Sequence, residues 1–392
     1  MIALAKSLAE RGVDYTLIGL TTAYAEFRRA GLQVSDVTEL VNEDEDEEFI
    51  RAVRPFVAGI IHPDVEERQT VAYFALGYRA LFEQFGEDEA LARLRTCGRK
   101  SFEPVSVMLR YLRNRLPSVV VTTTSPRFEL AMVKAARELG IPTVAIGDHF
   151  LVGEMRYIAK KNYAEHLVVL SEEIADTVRR ANRGISVHAF GNPAFDELAP
   201  KSGDADRRAD LRKCLGGEGR KILLWPLGGA AASGSGKKLL TAEEIIPLLE
   251  EICARSGEWR YVLRPHPNWP IEPIKLPELI NGIVCPSHFT PEDSILASDL
   301  VCAESSTMGL QALLKGVPVI NYGHAEFTTY PKFGWASVAN NPAELLSLVI
   351  EGNYLTPPSD LIGLVGGAST RVARLVEGLH YCELTACERR ST

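Results

Sequence analysis

Short runs rich in Val, Ile and Leu recur along this chain, and longer segments of helical period separate them. The runs are SVVVTT (118–123), PTVAIG (142–147), HLVVLS (165–170), ISVHAF (185–190), KILLWPL (221–227), WRYVLRP (259–265), GIVCP (282–286), DLVCAE (299–304) and VPVINY (317–322). Helical patterns fall at 127–139, 171–182, 241–256, 291–298 and 306–315, with two more near 341–352 and 369–381. Strands alternating with helices predict βαβ units and parallel sheets, hence an α/β fold. Between the two stretches lies GNPAFDELAPKSGDAD (191–206), which mixes Gly, Pro and acidic residues without a period and reads as a linker. With 392 residues the chain is long enough for two cores. The expectation is two Rossmann-like domains facing each other across a cleft, divided as 1–192 and 193–392.

The front is less regular. MIALAKSLAER (1–11) reads as an amphipathic helix ended by Gly12, VDYTLIGL (13–20) as a strand and AYAEFRRAG (23–31) as a short helix. A doubly wound domain normally opens on a strand, so either the first strand of the N-terminal domain is missing here or the domain begins with a helix. Residues 64–116 read as mainly helical with breaks at Gly86 and Gly98. The acidic run Glu43 to Glu48 reads as a solvated face starting or flanking a helix.

Composition narrows the function. A net charge of −8 and no long basic stripe argue against a nucleic-acid binder. No apolar run reaches the roughly 18–20 residues of a membrane span, and no signal-peptide pattern opens the chain. The seven cysteines, at 97, 214, 253, 285, 302, 382 and 387, form no CxxC pair, which fits reduced thiols and a cytoplasmic setting.

In open α/β sheets ligands lie beyond the carboxyl ends of strands, so the loops there are where chemistry is sought. After the strand ending at Glu304, Ser305, Ser306 and Thr307 stand where a helix begins. Free N–H groups and hydroxyls at that point suit a phosphate, and Ser and Thr equally serve as helix caps. Gly309 permits close approach of a ligand or of a neighbouring strand, and Gln311 shares a face with Thr307 and Met308. In RYVLRPHPNWP (260–270) a strand delivers Arg264 and His266 to its end, between Pro265 and Pro267. A guanidinium and an imidazole there suit a pyrophosphate. GGAAASGSGKK (228–238) lacks the GxxxxGK[ST] spacing of a phosphate-binding P-loop, so a nucleoside triphosphatase is rejected. Its Gly228 and Gly229 suit contact with a nucleotide diphosphate or a plain flexible connection. Asp148 and His149, in GDHF after strand 142–147, suit a general base towards an acceptor hydroxyl; Asp148 also suits a turn cap. TTTSPR (122–127) offers Thr, Ser and Arg to a sugar or phosphate, and Ser125 equally suits an N-cap.

The order strand, RPHP, strand, SSTMGLQALLKGVPVI resembles the second domain of GT-B-fold glycosyltransferases, above all those of capsule, sialic-acid or Kdo polymer assembly. GNPAFDEL (191–198) is similar to the turn leading out of the first domain in that superfamily, and ALAKSLAERGVDYTLIG looks like its first helix and second strand. The resemblance is carried by 118–352 and weakest over 40–116. It implies that His266–Pro267 and Ser305–Ser306 contact the phosphate of a nucleotide-activated donor. Gln311 falls where many members hold a ribose-binding Glu. UDP-N-acetylglucosamine 2-epimerases share the fold, but this chain has DHFLVGE and LGGAAASG where their patterns carry Glu-Ala-Gly-Leu-Arg-like and His-Arg-Arg-Glu-Asn-like runs. A non-catalytic nucleotide-sugar-binding subunit is the other alternative.

The expected reaction is transfer of a sugar from a nucleotide-sugar to a carbohydrate or lipid-linked glycan acceptor. Donor-binding residues would be Gly228, Gly229, Arg264, His266, Glu304, Ser305, Ser306, Thr307 and Gln311, with His266 also stabilising the leaving phosphate. Asp148 or His149 would act as base, no metal or cofactor being required. Peripheral membrane association is compatible with such an acceptor.

Overall fold

A computed structural model of the protein describes residues 1–228, 239–266, 276–323 and 329–390, with side chains described as far as 380. The chain divides into two compact units, one of residues 1–194 with 367–392, the other of 195–366.

The first unit opens with α1 (Ile2–Glu10), β1 (Ile18–Gly19), α2 (Thr22–Arg29) and β2 (Ser35–Asp36). The strand expected over 13–20 shrinks to Ile18–Gly19, because its ladder pairs only with Ser35–Asp36. Then come α3 (Glu43–Val57), α4 (Glu67–Phe85), α5 (Glu87–Cys97) and α6 (Val105–Arg115), with breaks at Gly86 and Gly98 where glycine supplies positive φ. A four-stranded parallel sheet follows in the order β3-β4-β5-β6, formed by β3 (Val120–Thr123), β4 (Thr143–Ile146), β5 (His166–Val169) and β6 (Ser186–Ala189). Its helices are α7 (Phe128–Glu138), α8 (Met155–Ile158) and α9 (Glu172–Ala181). α7 joins α3, α4 and α6 in one apolar core through Phe128, Ala131 and Ala135.

The acidic run is not wholly a solvated face. It does open α3, capped by the Asn42 side chain. Asp46 nevertheless has a fully buried side chain, bound by Arg79 Nη1 at 2.6 Å, Arg110 Nη2 at 2.7 Å and the Asn42 N–H at 2.8 Å. The packing of α3 against α4 and α6 turns this one carboxylate inward, which a charge count along the chain does not reveal.

The second unit begins within the expected linker. Pro193–Leu198 forms a short 3₁₀ turn, with Phe195 and Leu198 buried. Next comes α10 (Asp204–Cys214), which has no buried residue and therefore no apolar stripe to betray it. It is held instead by arginines: Arg208 and Arg212 pair with Asp299 at 2.6 and 2.7 Å, and Arg207 with Asp293 at 2.6 Å. The sheet contains β7 (Lys221–Pro226), β8 (Trp259–Arg264), β9 (Gly282–Val284), β10 (Leu300–Ala303), β11 (Val319–Tyr322) and β12 (Ser337–Ala339). The accompanying helices are α11 (Ala242–Ser256), α12 (Pro291–Ala297), α13 (Thr307–Leu314), α14 (Pro342–Glu351) and α15 (Ser359–Ile362). All described pairings are parallel, and the order across the sheet is β9-β8-β7-β10-β11-β12. Taken from β7 outward, this is the 3-2-1-4-5-6 order of a Rossmann sheet. β12, three residues at an edge, has no sequence pattern long enough to announce it.

The closing helix α16 (Ala368–Arg390) corrects the expected boundary. Assigned by sequence to the second domain, it packs on the first, where Val372, Ala373 and Val376 share a core with Leu4, Leu8, Val144 and Val168. Arg371 donates to the Phe190 carbonyl from Nη2 at 2.7 Å and from Nε at 3.0 Å, and Glu377 pairs with Arg11. α1 and α16 thereby cover one another's apolar stripes and one face of β4 and β5. None of the described helices is long and apolar enough to cross a membrane.

Candidate active site

In the second unit the strand order reverses between β7 and β10, and that reversal opens a crevice beyond the carboxyl ends of the two strands. Gly228 lies two residues past the end of β7, and Glu304 to Thr307 follow β10 directly. The sequence separates them by more than seventy residues, and the sheet order brings them to adjacent strand ends. Gly229 and residues 230–238 lie outside the described residues. Glu304 is buried, and its Oε2 accepts the Leu240 N–H at 3.0 Å, tying the start of the β10 loop to the segment entering α11. Ser305 and Ser306 are half-buried and Thr307 is exposed. Ser306 caps α13, its Oγ accepting the Met308 N–H at 3.2 Å, so its own proton remains a donor. Capping and anion binding, the two readings of this motif, are thus compatible in one residue. Gln311 is half-buried one turn into α13.

Two glycines of this region are explained by protein neighbours. A Cβ on Gly228 would lie 2.3 Å from Leu239 Cδ1, and one on Gly309 would lie 2.4 Å from the Tyr330 hydroxyl. Gly309→Ala is therefore expected to destabilise the fold by about 1–3 kcal/mol. Tyr330→Phe in the same chain should recover part of that loss, so urea unfolding of the two single variants and the double variant would show a non-additive pair. Strict additivity would sink this account.

Arg264 and His266 stand at and just beyond the end of β8, the strand beside β7. Both are half-buried. Arg264 Nη1 donates to Ser294 Oγ at 2.7 Å and to the Phe289 carbonyl at 3.1 Å. The guanidinium thus anchors the segment leading into α12, a use that strand-end reasoning missed. Pro267 lies outside the described residues.

In the first unit, β3 and β4 end in register, Thr123 beside Ile146. Their following loops therefore share one end of the sheet. There Asp148 Oδ1 lies 2.5 Å from His149 Nδ1, and the Asp148 N–H donates to Thr124 Oγ1 at 3.1 Å. The backbone is strained around them, with φ of +73° at Arg127, +33° at His149 and +57° at Leu151. Such conformations concentrate at functional sites. Two carboxyls that sequence reasoning passed over complete the cluster. Burial pushes Glu129 up, against hydrogen bonds from Thr123 (2.5 Å) and Ser125 and the charge of Arg127. Burial also pushes Glu154 up, and the charge of Asp148 adds to that. Glu129 sits two residues beyond TTTSPR, so the local sequence signal was a carboxylate in the first turn of a helix after a strand. Asn192, from the GNP turn, donates to the Gly147 carbonyl at 3.2 Å and joins this end of the sheet.

A Rossmann sheet in the second unit and a parallel, helix-flanked sheet in the first are consistent with the GT-B fold, and the similar solved structures are glycosyltransferases and UDP-GlcNAc 2-epimerases of that fold. No family model matches the chain. Among curated proteins, the lipid-A-disaccharide synthase of Granulibacter bethesdensis is 23% identical over 288 residues, 69% of this chain. The match spans 66% of that relative, just under two thirds of its length. Among solved structures, the UDP-GlcNAc 2-epimerase of Neisseria meningitidis, bound to UDP-GlcNAc, is 12% identical with a TM-score of 0.55, covering 96% of both chains. The Methanocaldococcus jannaschii UDP-GlcNAc 2-epimerase, in complex with UDP-GlcNAc and UDP, is 14% identical with a TM-score of 0.54, over 96% of this chain and 95% of that one. A kitacinnamycin glycotransferase is 15% identical with a TM-score of 0.53, over 96% and 94%. At these identities the likeness is one of fold.

Proposed function

We propose that this protein is a glycosyltransferase that binds a nucleotide-sugar on its second unit and passes the sugar to a carbohydrate or lipid-linked glycan acceptor bound by its first. The observation that carries the reading is the topological switch point of the second sheet, where Ser305, Ser306 and Thr307 form the start of α13. The lipid-A-disaccharide synthase relative and the kitacinnamycin glycotransferase support transfer, and the UDP-GlcNAc-bound structures support a nucleotide-sugar as donor.

The donor phosphates would accept hydrogen bonds from the N–H groups at the start of α13 and from the Ser305 and Ser306 hydroxyls, with the helix dipole adding to the attraction. His266 would face the same phosphates from the next strand end, while Arg264 fixes that end in place. These donors strengthen as charge collects on the leaving phosphate, which is transition-state stabilisation without a metal ion. At the acceptor, Asp148 holds Nδ1–H of His149, leaving Nε2 as base. His149 Nε2 would take the acceptor hydroxyl proton as the acceptor oxygen bonds to the sugar's anomeric carbon. The bond from that carbon to the phosphate oxygen breaks, and its electron pair leaves with the nucleotide, inverting the centre.

Thermal shift against UDP, CMP, CDP and GDP tests the donor site. One nucleotide should stabilise the protein, and Ser305→Ala/Ser306→Ala should weaken its binding by roughly 10–100-fold, as expected for lost hydrogen bonds to a charged group. No stabilisation by any nucleotide, or a shift untouched in the double variant, would overturn the assignment. The similarity to two epimerases favours a second reading, conversion of UDP-GlcNAc to its 2-epimer. Epimer formation with no acceptor present would decide for it.

A further inference from the structure

The opposite end of the first sheet holds a separate polar cavity. Residues 159 and 161–163, before β5, and residues 181–185, before β6, line about 510 Å³ together with Arg137 near the end of α7. That volume is within the range of small-ligand sites. Because the sheet is parallel, this rim lies at the amino ends of the strands, a strand length of roughly 13 Å from the loops that carry His149.

The lining supplies three cations, Arg137, Lys161 and Arg183, and no carboxylate. Glu165 pairs with Arg137 through Nη1 and neutralises one of them. Arg137 Nε is buried and has no hydrogen-bond partner among the described residues. A buried donor left unpaired is costly, so the protein alone does not complete the hydrogen bonds of this guanidinium. The frame is already set. Asn182, itself buried, donates from Nδ2 to the carbonyls of Ile158 and Lys160, both at 2.8 Å, and accepts the Gly184 N–H at 3.0 Å. One side chain therefore ties the two lining segments together. Tyr163 adds a buried aromatic wall, and Asn162 turns the chain through a φ of +65° at the rim.

The cationic excess left after Glu165 matches the charge of about −1.5 to −2 on a phosphate monoester near neutral pH. The cavity is also larger than a bare phosphate needs, and its wall includes apolar surface from Ala159, Ala181 and Ile185. We infer that this cavity binds a phosphate monoester, its oxygens on Arg137, Lys161 and Arg183 and its organic body against Tyr163. The site is independent of the donor site proposed above.

Titration calorimetry with glycerol 3-phosphate, with glycerol as the uncharged control, tests a soluble source. Vesicles of phosphatidylcholine with and without phosphatidic acid test a lipid-borne one. Both run on the full chain, on Lys161→Glu/Arg183→Glu and on Ser305→Ala/Ser306→Ala. Lys161 and Arg183 are exposed, so the charge-reversal variant should fold, and an unchanged melting temperature would show it. The expected result is binding of glycerol 3-phosphate or of phosphatidic acid vesicles, weakened by salt and at least roughly tenfold by the charge reversal. The serine variant should leave it unchanged. Absence of binding in both arms, or loss in the serine variant with retention in the charge-reversal variant, would overturn the site. Neither outcome depends on the transferase reading.

Discussion

His149→Ala is expected to lower the turnover number of sugar transfer by roughly 10²–10⁴-fold, the range typical of losing a general base. Nucleotide binding, followed by thermal shift, should be unchanged, because the serines that would hold the donor belong to the other compact unit. Asp148 Oδ1 lies 2.5 Å from His149 Nδ1, a contact that favours the proton on Nδ1. The backbone holds a φ of +33° there, a conformation that a β-carbon makes unfavourable. Glu129 and Glu154, both pushed up by burial, stand at the same sheet end and retain protons more readily than free carboxyls. That leaves the imidazole, oriented by Asp148, as the group proposed to take the proton. Full turnover in His149→Ala would remove this residue from the mechanism.

The largest stability effect is expected away from the site. Asp46→Asn should cost about 3–5 kcal/mol of unfolding free energy, measured by urea denaturation at neutral pH. The carboxylate is fully buried between Arg79 and Arg110, and its removal leaves two guanidinium groups facing each other across α3, α4 and α6. Glu45 also reaches both arginines, at 2.9 and 2.7 Å, but from the surface, where water screens it. Burial pushes the Asp46 carboxyl up, and the hydrogen bonds from Arg110, the Asn42 N–H and Arg79 outweigh it, holding the group below the usual carboxylate range. A carboxyl lowered in the folded state contributes stability above its unfolded pKa and loses it as pH falls through the folded value. The gap between the wild-type and variant proteins should therefore narrow in acid. A gap that stays constant down to the lowest pH at which both fold would contradict the pairing.

Much of the architecture was legible because its signals are local. Each strand from β3 to β11 coincides with a Val, Ile or Leu run, and most ends agree within a residue or two, since burial on a parallel sheet demands continuous apolar side chains. Thr241, Thr290 and Asn341 cap α11, α12 and α14, each side chain accepting a first-turn backbone N–H. Residues 64–116 also read correctly as mainly helical, although the family resemblance is weakest over 40–116.

Other features depend on distant partners, and there the local signal was silent or misleading. α10 has no apolar face because Asp293, Asp299 and backbone carbonyls of α12 hold it through arginines. Asp46 resembled its acidic neighbours until α4 and α6 supplied Arg79 and Arg110. α16 follows the second unit in sequence and packs on the first, because α1 exposes the apolar stripe that its own stripe matches. The candidate donor site shows the same division. The serine motif and the glycine after β7 were each visible as strand-end loops, whereas their adjacency required the order β8-β7-β10-β11, which no single segment encodes. Apolar period and capping chemistry act within a few residues and so are written in the chain. Strand order, helix docking and the pairing of buried charge are settled by which surfaces remain to be covered once those elements exist.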